Sequence, residues 1–141
     1  MNNTTYVEST TIPSAITTTV PAVGRALIST LFILSGFSKL AAPAMTIGYI
    51  QSVGLPLPSI AFALAAFIEL VGGIALLLGY RTRMVASVLV VFALATAVFF
   101  HHNLGDQNQL IHFFKNIAIA GGLLHVVAFG GGRFSLDGRR S

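Results

Sequence analysis

The sequence predicts an all-α protein, an antiparallel four-helix transmembrane bundle, and two observations lead there. Hydrophobic residues make up 55% of the 141-residue chain and charged residues only 9%, against about 25% charged in an ordinary soluble domain. A chain of this size has too few polar side chains to cover a core in water, so its solvent over most of its length is lipid. The apolar residues are also gathered into four stretches, each near the length of about 20 residues that crosses the hydrocarbon as a helix. A closed β-barrel would need residues alternating in and out over about ten positions. Stretches such as IALLLG and SVLVVFALA do not alternate.

Residues 1–20 are rich in Thr and Ser and lack a basic start followed by an apolar run, so they read as a disordered polar tail. A membrane domain is expected over residues 21–132, with spans at 23–40, 59–78, 84–100 and 110–129. The first span would reach about 27 Å as a helix, the second and fourth about 30 Å, and the third about 26 Å. The small residues at 41–44 resemble a signal cleavage site, but three further spans downstream argue against a cleaved leader. All five prolines precede the second span, while Gly79 and Gly130 stand where the second and fourth spans should stop. The connection between the first two spans is long for a turn, and Met45 to Val53 is expected to form a short interfacial helix. It is either a lid or a linker lying on the headgroups. Gly130 to Gly132 read as a flexible exit into a basic cytoplasmic tail, residues 133–141.

The net charge of +4 is scattered singly, so it reads as membrane orientation and not as a nucleic-acid surface. With both termini in the cytoplasm, the inner side holds six arginines: Arg25, Arg81, Arg83, Arg133, Arg139 and Arg140. The loop HHNLGDQNQ, on the outer side, holds no Lys or Arg. The chain has no Cys, which removes disulfides, thiolate metal sites, CxxCH haem attachment and a dithiol relay carried by this chain.

Glu69 lies near the middle of the second span, where an ionised side chain costs about 2.5 to 3.5 kcal/mol. It needs a proton or a partner. Side chains lean toward the N-terminus of their own helix, so Glu69 leans outward and Lys39, ending the first span, leans inward; Lys115 enters the fourth span from the outside. The three charges are expected to converge on the outer half. Ala65, Ala66, Gly72 and Gly73 share the face of Glu69 and admit a neighbouring helix closely, so Glu69 should face protein. His112, Lys115 and Asn116 share a face at i, i+3, i+4, and His101 and His102 end the third span at the same level. The cluster reads either as an ion-pair network locking the helices or as a ligand or proton site. A metal or haem site is not expected, because adjacent histidines on a helix diverge and neither HxxxH nor ExxH occurs. His125 reads as a packed or interfacial residue. Phe99, Phe100, Phe113 and Phe114 either line a quinone channel or fill the bundle.

In order along the chain, LFILSGFSKL, GLPLP, ELVGGIALLLGYRTR, FFHHN, HFFKNIAIAGGLL and GGGRFSLD resemble the DoxX family of small four-helix inner-membrane proteins, over about Val23 to Asp137. The resemblance implies a bacterial multi-pass protein of the inner membrane, some of whose relatives accompany membrane redox complexes coupled to quinone. The family-like polar residues fall at Lys39, Glu69, His101, His102, Lys115 and Asn116, the ones that burial also selects. On this reading the chain is not an autonomous enzyme but a quinone-interacting subunit of a membrane oxidoreductase, with no covalently bound cofactor. Its partners are the bilayer, a redox enzyme subunit and a second copy of itself. The alternative is a non-enzymatic scaffold, or a small-anion carrier drawn to the two lysines.

Overall fold

The computed structural model describes residues 13–139. Five helices follow in order: α1 (Ser14–Ala41), α2 (Pro43–Ser52), α3 (Pro58–Leu78), α4 (Thr82–Phe100) and α5 (Gln107–Phe129), before a 3-10 turn at Asp137–Arg139. The described residues contain no strand. Four of the helices, all but α2, are long and apolar enough to cross a membrane. Their packing is that of a protein dissolved in lipid. Leu27, Leu34, Phe67 and Val91 are more than half exposed, while the buried cluster is built largely of small or medium residues, among them Ala86, Ala93, Ala120, Leu89 and Leu123.

Element limits have local causes. α3 starts with Pro58, whose missing N–H is not needed in a first turn. It ends at Gly79, whose φ of 69° lets the next amide, Tyr80 N, return to the Ala75 carbonyl at 2.9 Å. α5 begins at Asp106, whose carboxylate accepts from Gln109 N at 2.9 Å. The short helix expected after the first span is present as α2, led by Pro43.

The start of α1 differs from expectation. The helix begins at Ser14, inside the segment read as a polar tail, and carries Pro21 within it. The threonine hydroxyls of this extension turn back onto its own backbone, Thr17 and Thr18 Oγ1 both donating to the Ser14 carbonyl, at 3.0 and 2.6 Å. The rest of that expected tail, residues 1–12, lies outside the described residues.

The helices associate as two tight antiparallel pairs, α1 with α3 and α4 with α5, joined mainly through α3 and α4. Glycines set the α1–α3 spacing: a methyl on Gly73 would stand 3.2 Å from the Ile33 amide nitrogen, and one on Gly36 would press into Leu70. These contacts also fix the level of α1. Arg25 reaches the end of α3 and Gly36 the middle, so α1 stops halfway up α3 and α2 packs on α3 beyond it. The connection therefore packs against the bundle, with Ile50 buried there.

At the other end, the exit read as flexible is an ordered turn. Gly130 and Gly132 take φ of 79° and 72°, and the following segment doubles back. Leu136 N donates to the Leu78 carbonyl at 3.1 Å and Asp137 N to that of Gly79 at 3.0 Å. The Asp137 carboxylate then caps α4, accepting from Arg81 N, Thr82 N and Thr82 Oγ1 at 2.7 to 2.9 Å. Buried Arg25 ties α1 to this strap by donating to the carbonyls of Gly131 and Phe134, and to that of Leu77 in α3. A methyl on Gly79 would overlap Ser135, so only glycine admits the strap here.

Candidate functional site

Glu69 lies in the middle of α3 and is 4% exposed. Gly36 opposite it lets α1 come close, which brings Ser35 and Lys39, one turn apart, to the carboxylate. Lys39 Nζ donates to Glu69 Oε1 and to Ser35 Oγ, each at 2.9 Å, and Ser35 Oγ donates to Oε1 at 3.0 Å. One oxygen is thus held by two donors. The other, Oε2, is 2.8 Å from the same Nζ, so the ammonium spans both oxygens of the carboxylate. Buried carboxylate oxygens are normally hydrogen-bonded, because the interior offers no water in exchange.

Above this triad lies a cavity of about 620 Å³. Glu69, Lys39, Ile68 and Phe92 form its deep part, Ala61, Leu64 and Ala65 one wall, and Thr46, Tyr49 and Ile50 of α2 another; Phe99, Phe100 and His101 lie at its outer end. Its surface is mostly apolar with polar atoms at few places, the composition of a site for an amphipathic organic molecule. α2 is fastened over it by Tyr49, whose hydroxyl donates to the Phe100 carbonyl at 3.2 Å and whose ring contacts that of Phe100 at 5.6 Å.

The pairing of helices decides which of the expected site residues meet. Lys39 and Glu69 lie in the α1–α3 pair and form the triad. His112, Lys115 and Asn116 lie on α5, which does not line the cavity. Lys115 Nζ donates to His112 Nδ1 at 2.9 Å, one turn away on its own helix, and its side chain is exposed. The expected convergence of three charges is thus a convergence of two. Asn116 Nδ2 donates to the His112 carbonyl at 3.0 Å. His101 connects the groups: it borders the cavity, stacks on His112 with ring centroids 5.0 Å apart, and donates from Nδ1 to Gln109 Oε1 at 2.8 Å. His102 is exposed in the following turn. Among the described residues, no three His, Cys, Asp or Glu side chains gather as a metal cluster would require.

His125 is exposed, with its Nδ1 donating to the Gly121 carbonyl at 3.1 Å. Phe99 and Phe100 border the cavity, whereas Phe113 and Phe114 do not and pack edge to face on each other. Ser35 went unnoticed in the sequence, although a hydroxyl four residues before a lysine on an apolar helix is a readable signal. Arg25 was read only as an orientation charge and Asp137 only as part of a tail.

The family model described as DoxX matches residues 20–102. The inner membrane protein YphA of Escherichia coli K12 is 35% identical over 122 residues, covering 83% of this chain and 87% of that protein. The inner membrane protein YqjF of the same organism is 36% identical over 115 residues, covering 82% and 87%. No solved structure matches.

Proposed function

This chain belongs to the DoxX family of integral inner-membrane proteins, and from that premise we propose that it is a quinone-interacting subunit of a membrane oxidoreductase. The observation that carries this reading is the Lys39–Glu69 ion pair, with Glu69 buried, at the floor of an apolar cavity. A quinol hydroxyl that reaches this floor donates to the Glu69 carboxylate. A quinone carbonyl accepts from the Lys39 ammonium, the more exposed member of the pair. Ring and tail lie along Ile68, Phe92, Phe99 and Phe100. The chain supplies binding and a carboxylate proton acceptor, while electrons pass to a redox centre carried by a partner subunit, because a lone carboxylate and ammonium have no redox chemistry of their own. His101, between the cavity and the α5 polar face, is the proton's route to the surface. Both termini lie in the cytoplasm on this reading, since Arg25, Arg81, Arg83, Arg133 and Arg139 gather at one end of the bundle. The cavity then sits in the outer half.

The test is quinone retention by protein purified in mild detergent, measured by solvent extraction and chromatography. Wild type should carry quinone. Glu69→Gln keeps the shape and removes the charged acceptor, and should lower retention about tenfold, the worth of a hydrogen bond to a charged group. Equal retention by the two proteins overturns the reading. The second reading is a non-enzymatic scaffold, favoured by the fact that Ser35, Lys39 and Glu69 pin α1 to α3; it predicts that Glu69→Gln fails to accumulate as folded protein.

A further inference from the structure

A second concavity lies at the opposite end of the bundle, where the chain turns from α3 to α4 and from α5 into the strap. It is a shallow groove of about 760 Å³, bordered by Arg81, Arg83 and Arg133 together with Met84, Phe129 and the backbone of Gly130 to Gly132. The guanidinium groups of these three arginines make no hydrogen bond or ion pair among the described residues, unlike that of Arg25 nearby. Arg83 lies over the glycine turn: a methyl on Gly130 would stand 3.5 Å from its Nε. The one acid on the rim, Asp137, accepts from three donors at the start of α4, and the three arginines outnumber it along the groove.

The floor has a different character from the rim. Phe129, the last residue of α5, is 79% exposed and Met84, in the first turn of α4, is 55% exposed. Both stand where membrane spans end, at the depth at which acyl chains meet headgroups. Positive charge beside exposed apolar side chains at this depth matches a molecule with an anionic phosphate and a hydrocarbon tail. A free phosphate would leave the apolar half uncovered.

We propose that the groove of Arg81, Arg83 and Arg133 binds the headgroup phosphate of an anionic phospholipid, whose acyl chain covers Phe129 and Met84. The glycine turn lets the phosphate approach the backbone, and the arginines provide forked donors to its oxygens. The site is separate from the Glu69 cavity and shares no lining residue with it, so it does not depend on what that cavity binds.

Native mass spectrometry of the purified full chain, titrated with phosphatidylglycerol, phosphatidylcholine or inorganic phosphate, tests this. Wild type should retain phosphatidylglycerol in preference to phosphatidylcholine. The double variant Arg83→Gln, Arg133→Gln should lose about 30-fold in phosphatidylglycerol affinity, at about 1 kcal/mol per arginine near a membrane surface. Both side chains are exposed and hold nothing in place, so the variant should melt like wild type. Arg139→Gln, outside the groove, should bind as wild type does. Equal retention of the two lipids, or equal loss in Arg139→Gln, overturns the site, the latter by reducing it to net charge. Inorganic phosphate displacing the lipid at equal concentration overturns the lipid assignment in favour of a free anion.

Discussion

Buried charge stands at both ends of the length over which α1 lies against α3, and the two ends use it differently. At one end, Arg25 gives its guanidinium to the carbonyls of Gly131, Phe134 and Leu77, and Asp137 gives its carboxylate to the first amides of α4. Each charge holds main chain. About 21 Å further along α1 by helical rise, Lys39 and Glu69 hold each other, and a cavity opens beside them. A charge whose partners are backbone groups of its own chain is a tie. A charged pair at the floor of an apolar cavity is placed to meet what enters it.

The comparison breaks first at Arg25. Arg25→Met strands three carbonyls that lie far from Arg25 in sequence, and should cost about 3 kcal/mol, since a buried acceptor left unsatisfied costs about 1 to 3 kcal/mol. Detergent melting together with proteolysis between Gly130 and Asp137 measures it; unchanged melting would show that the strap holds without its tie. Asp137→Asn leaves an acceptor for the α4 amides but removes its charge, and should cost about 1 kcal/mol in the same assay. The smallest effect on stability belongs to the pocket. Replacing all three members, Ser35→Ala and Lys39→Met with Glu69→Leu, removes the network without leaving an orphan and should change stability by less than about 1 kcal/mol while abolishing quinone retention. If that triple variant unfolds as Arg25→Met does, the two ends are alike and the pocket is a second tie.

The same contrast separates what was legible in the sequence from what was not. Spans two to four could be placed because Pro58, Gly79 and Gly130 punctuate them with backbone requirements that no other residue meets as well. The Lys39–Glu69 pair was legible because side-chain lean and depth are properties of single helices. Lys115 was misplaced because its destination depended on which helices pair. α5 packs on α4, away from α3, and His112 on its own helix offers a nearer acceptor. The start of α1 was missed because threonine runs read as coil unless their hydroxyls are known to return to the backbone. Arg25 and Asp137 were missed for want of a long-range contact: nothing near either residue says that the chain's last segment folds back to meet them.

That distance has a consequence for biosynthesis. The carbonyls of Gly131 and Phe134 are 106 and 109 residues downstream of Arg25. A ribosome delivers the first helix to the insertion machinery long before it makes them. Until those carbonyls are made, the nascent protein offers this cation only the Leu77 carbonyl, 52 residues downstream, so the tie at this end closes after all four long helices have been synthesised.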